Sequence, residues 1–162
     1  MLETWQVITL MLVAVSMAMS LAHALELPGK LRLSETEYRI VQPIYYPGFT
    51  FGGLFGEFGG MLATAILLFV TPEGTPFWLV MAALALLLLA HALYWLLTHP
   101  VNKVWLKKRE LGGAGASFFD AGGGSAPMEF KAARDRWEYS HVARAACALT
   151  ALALIATATA LR

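Results

Sequence analysis

One cysteine, Cys147, stands in a chain of 162 residues. That excludes an intramolecular disulfide, a zinc site built on cysteines and a c-type haem attachment. Charge is also scarce, at 14% of residues, where an average soluble domain carries about a quarter. Lys and Arg total 12 and Asp and Glu 11, a formal net charge of +1, so no bulk basic field points to nucleic acid. The glycine-rich stretch 112–127 is followed by no Gly-Lys-Ser/Thr and preceded by no strand pattern, which removes a phosphate-loop reading. Internal repeats are lacking too.

What is abundant is apolar surface, at 58% of residues. Residues 4–25 carry no charge, 40–72 carry one (Glu57), 74–102 carry none and 145–161 carry none. A membrane-spanning helix needs about 20 largely apolar residues. Pro43 and Pro47 are unsuited to a helix interior, so the second helix is expected to begin near Gly48. The expected fold is all-α: a single domain, 1–162, forming an up-down-up-down bundle of four transmembrane helices at 4–25, 48–70, 75–98 and 143–161. Residues 1–6 contain no Lys or Arg, and the following apolar run exceeds a usual signal-peptide core. The first segment is therefore read as a span, although Ala22-His23-Ala24 imitates a cleavage site.

The loop after the first span holds Lys30, Arg32 and Arg39, and the stretch between the third and fourth spans holds eight more basic residues, whereas the opposite side has only Arg162. This asymmetry predicts both termini outside the cytoplasm, with 99–142 a cytoplasmic connection and 71–76 a short external turn. The run Lys107-Lys108-Arg109 reads as an anchor near anionic lipid. The connection contains six glycines within 112–127 and is expected to be a flexible loop. Pro127 can open a helix running from Met128 into the fourth span.

Ionisable side chains inside a span are costly, roughly 2.5 kcal/mol or more each near its centre, so each calls for a partner or a role. His23, Glu57 and His91 are such residues, with Glu26, His99, His141 and Arg144 at span edges. A rise of 1.5 Å per residue places His23 about 5 Å, Glu57 about 15 Å and His91 about 13 Å from the inner boundary. All are expected at similar depth in the cytoplasmic half. Gly52, Gly56 and Gly60 form a stripe that admits a neighbouring helix, and Glu57 borders it. His91, Tyr94, Trp95 and His99 share one helix face, as do Trp137, His141 and Arg144. The expectation is a buried polar pocket fed by several helices. For single residues a packing role competes: His91 as a hydrogen-bonded core histidine, Glu57 as a partner of Arg144, and His99 with Trp95 and Trp105 as an interfacial belt.

The stretches His-Pro-Val-Asn-Lys-Val-Trp (99–105) and Arg-Trp-Glu-Tyr-Ser-His-Val-Ala-Arg (136–144) resemble a family of small four-helix membrane proteins, largely of unknown function, that includes the anthrone oxygenases. The matching positions are Asn102, Trp137, His141 and Arg144. Segments 23–33 and 44–50 resemble a bacterial subgroup of that family, which implies the inner membrane. The resemblance implies cofactor-independent oxygenation of a lipophilic molecule: a base removes an acidic C–H proton and the carbanion reacts with O₂. In that reading His141 or His91 is the base, Arg144 and Asn102 stabilise the enolate oxygen, and Trp95, Trp137, Tyr45 and Tyr46 wall the ligand alongside Glu57 and His23.

Two other readings stay open. Inward-facing histidines can hold haem, or His23, Glu57 and His91 can hold iron or copper. Alternatively the chain is a noncatalytic membrane subunit, in which the glycine stripe and the alanines of the fourth span dock a partner or a second copy, giving a homo-oligomer.

Overall fold

The computed structural model describes residues 1–46, 48–106 and 128–161. The described residues form helices and no strand: α1 (Leu2–Lys30), α2 (Glu35–Val41), a 3₁₀ turn (Gln42–Tyr45), α3 (Gly48–Gly52), a π turn (Gly53–Phe58), α4 (Gly59–Val70), α5 (Thr75–Leu93), a second π turn (Tyr94–Thr98), α6 (His99–Leu106) and α7 (Phe130–Ala160). Four continuous helices are long and apolar enough to cross a membrane: Leu2–Lys30, Gly48–Val70, Thr75–Asn102 and Phe130–Ala160. This is the architecture of a multi-pass membrane protein. The glycine-rich stretch 112–127 and the basic run 107–109 lie outside the described residues.

Consecutive spans are antiparallel neighbours, and α7 closes the ring by packing on α1 as extensively as on α5. The start of α1, the end of α7 and the 71–74 turn share one end of the bundle, the terminal end; α2 and the 3₁₀ turn share the other, the connector end. Gly74 adopts φ 141° just before Pro76 enters the first turn of α5, a backbone region open to glycine. The second helix matches its expected span, 48–70, while the first, third and fourth extend past theirs towards the connector end. The fourth begins at Phe130, thirteen residues before the expected span, because the Glu129 carboxylate accepts from the amides of Lys131 and Ala132 at 3.0 Å each and so caps the exposed donors. Those amides hold the Glu129 carboxyl below its usual range. Likewise Ser34 and Glu37 form a capping box that starts α2.

The buried seam of α7 runs Trp137, His141, Arg144, Ala148, Ala151, Ile155 and Ala158, an alternation of four and three residues that is the heptad seam of left-handed helix packing. α1 follows the same alternation with Gln6, Thr9, Val13, Ser16, Ser20 and His23. Its interior face is thus polar or small, while Val7, Met11 and Val15 point outward. Towards the terminal end the core is apolar, with Val13, Leu67, Val80, Ala83, Leu87, Ala151 and Ile155 in one cluster. Towards the connector end the seam turns polar and aromatic.

Close approach of the second span to α1 depends on the glycine stripe. A Cβ on Gly56 would stand 2.8 Å from the Ser16 backbone nitrogen, one on Gly60 would stand 3.3 Å from Val13, and one on Gly52 would collide with Met19. The π turn Gly53–Phe58 is held on α1 and makes at most slight contact with α5 or the second π turn, whereas α4 packs on α5. The second and third spans therefore meet near the terminal end and diverge towards the connector end. The second π turn has its own cause. Pro100 has no N–H to offer the Leu96 carbonyl one turn back, and Arg136 Nη2 donates to that oxygen instead, at 2.6 Å.

Gly56→Leu is expected to destabilise the bundle by about 1–3 kcal/mol through overpacking, seen as a lower thermal midpoint in detergent. Gly53→Ala, where an added Cβ meets nothing within 4 Å, should leave the midpoint unchanged; equal effects at both sites would contradict the packing described.

Candidate functional site

Glu57 is the centre of the first polar cluster. Its Oε2 accepts from Arg144 Nη2 at 2.5 Å, and its Oε1 lies 3.0 Å from His91 Nδ1. His91 Nε2 accepts the indole N–H of Trp95 at 2.9 Å, so the neutral imidazole carries its proton on Nδ1 and donates it to Glu57. This is a carboxylate–histidine dyad, the arrangement that orients an imidazole and supports charge on it. The Arg144 guanidinium also lies over the Tyr94 ring, 5.1 Å from its centroid, while its Nε is buried without a partner among the described residues. Glu57 belongs to one π turn, and Trp95 to the other, which begins three residues after His91. Such turns tend to occur at functional positions. The side chains of Glu57 and Arg144 are 13% and 9% exposed, but that of His91 is 34% exposed. The dyad therefore lies where the second and third spans diverge, with its histidine edge partly exposed.

The second cluster is a packed aromatic box. The His23 ring lies 4.4 Å from His141, 4.5 Å from Tyr45, 4.6 Å from Phe49 and 4.8 Å from Trp137, centroid to centroid. His141 stacks on Trp137 at 4.1 Å and its Nδ1 donates to the Trp137 carbonyl at 2.8 Å, which makes Nε2 the lone-pair nitrogen. At these separations the rings touch and leave no slot for a flat ligand between them. The pocket expected among these side chains is therefore occupied by the side chains themselves. A hollow of about 360 Å³ lies at the terminal end.

Beneath the box sits an ion network, buried at Lys30 and Glu138 and exposed at Glu26. Lys30 Nζ is 2.8 Å from Glu26, 3.6 Å from Glu138 and 3.3 Å from His23 Nδ1, and faces the Tyr45 and Trp137 rings at 4.6 and 5.0 Å. The Tyr38 hydroxyl donates to Glu138 at 2.8 Å and the Tyr45 hydroxyl to Glu26 at 2.6 Å. Burial raises both phenols above their ordinary range, and the carboxylates they face raise them further. Both stay protonated and serve as donors. Lys30, Tyr38 and Glu138 were not among the residues the sequence singled out. Glu26 and Lys30, spaced four apart at a helix end, were the available signal; Glu138 lay in a stretch read as an aqueous connection.

A third group joins the first two. Asn102 Oδ1 accepts from Trp137 Nε1 at 2.7 Å and from the Tyr46 hydroxyl at 3.1 Å, so its carbonyl ties α6 to α7 and to the residue that follows the 3₁₀ turn. The structure brings Glu57, His91, Trp95 and Arg144 into one cluster, and His23, Tyr45, Trp137 and His141 into another. One turn of α7 separates His141 from Arg144. His99 is 5% exposed and packs against Trp95 and Tyr94, which makes it part of the interior and not of an interfacial belt. The metal set His23, Glu57 and His91 is not assembled: His23 belongs to the box, both His91 nitrogens are engaged, and no three His, Cys, Asp or Glu side chains among the described residues converge as a metal-binding group.

Removing one member of a buried ion pair costs roughly 3–5 kcal/mol, whereas replacing both by apolar groups is often neutral. Arg144→Met is therefore expected to lower stability strongly, and the double variant Glu57→Leu/Arg144→Met to recover most of the loss in the same melting assay. Additive losses would mean that the two groups do not depend on each other. No protein-family model, curated protein or solved structure matches this chain.

Proposed function

We propose that the chain is a multi-pass enzyme of the bacterial inner membrane that removes a proton from a lipophilic, weakly acidic small molecule and passes the resulting carbanion to O₂. The observation that carries this reading is the Glu57–His91 dyad, set at the diverging edge between the second and third spans with its imidazole partly exposed. A substrate dissolved in the bilayer reaches His91 Nε2 when the Trp95 indole swings aside. His91 takes the C–H proton on Nε2, Glu57 supports the imidazolium through Nδ1–H, and Arg144 offsets negative charge as it moves onto the substrate oxygen. Charge stabilisation of this kind is strong where water is excluded.

The oxygenation half rests on the resemblance of 99–105 and 136–144 to the family that includes the anthrone oxygenases. In that chemistry a methylene and O₂ become a carbonyl and water, and no cofactor takes part. The lysine and arginine asymmetry between the connections supports both termini outside the cytoplasm. The aromatic box, with its rings in contact, favours a noncatalytic reading for His23 and His141, as the seal of the connector end.

The experiment is O₂ uptake by the purified chain in lipid nanodiscs with anthrone as the probe substrate, together with the ketone formed. His91→Gln is expected to reduce turnover by about 10²–10⁴-fold, the usual contribution of a general base, with Glu57→Gln intermediate and the thermal midpoint of His91→Gln near that of the parent. Turnover that survives in folded His91→Gln would end the assignment of the base. Loss only in His141→Ala would move the chemistry to the box.

A further inference from the structure

The hollow at the terminal end lies far along the bundle from the Glu57 dyad and is framed by the start of α1, the turn between α4 and α5, and the end of α7. Its volume, about 360 Å³, falls within the range of small-molecule pockets, roughly 300–1,000 Å³. Leu2, Leu67, Val80 and Ala158 give it apolar walls. Gln6 lines it too, is only 7% exposed, and has no hydrogen-bond partner among the described residues. Its amide oxygen and nitrogen are not sealed off, so they are open to a molecule in the hollow. One turn deeper on the same seam, the buried Thr9 hydroxyl is also unpartnered among the described residues.

The rest of the polar lining is Thr71, Thr159 and, on the exposed rim, Glu73, whose carboxylate is a further acceptor and disfavours an anionic head. Thr71 and Thr159 donate their hydroxyl protons to the Leu67 and Ile155 carbonyls, at 2.6 and 2.9 Å. What they show to the hollow is therefore oxygen lone pairs. Gln6 adds an acceptor and two donors. A hydroxyl group, donor and acceptor at once, satisfies both kinds of partner, and an alkyl chain suits the apolar walls.

We infer that the hollow is a binding site for a neutral, hydroxyl-bearing amphiphile, whose head hydrogen-bonds Gln6 and the threonine oxygens while its chain lies along Leu67 and Val80. The same chemistry is presented by a monoacylglycerol of the bilayer and by a free long-chain alcohol. This site is separate from the proposed reaction and stands whether or not that reaction occurs.

The test is photo-crosslinking of the full chain in phosphatidylcholine nanodiscs with a diazirine-bearing dodecyl alcohol, followed by peptide mapping. Label is expected in residues 2–6, 71–76 and 158–161. Excess dodecanol should suppress it while dodecane and dodecanoate do not, and suppression by monolaurin at lower concentrations than dodecanol would identify the bilayer lipid as the natural source. Gln6→Leu, which keeps the volume but removes the head's partner, should lower labelling roughly five- to tenfold, as expected for losing one or two hydrogen bonds. Thr159→Leu, which fills the hollow, should do the same, and each variant is checked for the parent melting curve. Label spread evenly over outward residues such as Val7 and Phe69 and unchanged in both variants would overturn the proposal, as would equal competition by dodecane.

Discussion

A carboxylate and a guanidinium inside an apolar bundle have no water to turn to, and their mutual attraction grows as the surroundings become drier. Glu57 and Arg144 meet under that constraint, and much of the connector half follows from it. The second span must bring Glu57 to the interior, which the glycine stripe permits by letting its backbone lie against α1. The fourth span must aim Arg144 along the seam that also carries His141 and Trp137. His91 then completes the carboxylate's second oxygen, and Trp95 completes His91. Each group satisfies the next, so a change at one position leaves an orphaned polar atom at another.

Much of the plan could be read from the chain. Four runs of adequate length, three uncharged and one carrying only Glu57, matched four helices long enough to span, Gly52, Gly56 and Gly60 marked the close approach, and the shared depth of Glu57 and His91 matched their contact. The common face of Trp137, His141 and Arg144 also held. The helix ends did not follow from apolarity, because capping by Glu129 and the ionic partners of Lys30 extend α7 and α1 beyond the runs. Nor could hydropathy say which side of α1 is interior. Its buried face is Gln, Thr and Ser, and its outward face is Val and Met, the reverse of a soluble amphipathic helix.

Side-chain volume also escaped the sequence. Histidines and tryptophans at one depth suggest a cavity when counted, but packed together their rings consume the space they line. The open edge came instead from backbone geometry: two π turns and a proline that frees the Leu96 carbonyl. Those features separate the second and third spans where the dyad lies. The terminal-end hollow was equally hidden, since Gln6 and the turn at 71–76 carry no motif.

The ring closes between its first and last members, and this bears on biogenesis. Because α1 packs on α7 as extensively as on the second span, α1 waits for the later-made α7 before its Gln, Thr, Ser and His face is fully covered. During that interval the second span, with its glycines, is the shield available within the chain. Assembly is thus a process with a vulnerable middle, in which a half-made protein exposes hydrophilic groups to hydrocarbon. An insertase or chaperone that shelters polar helix faces fits that interval, and the final helix locks the order of all the others.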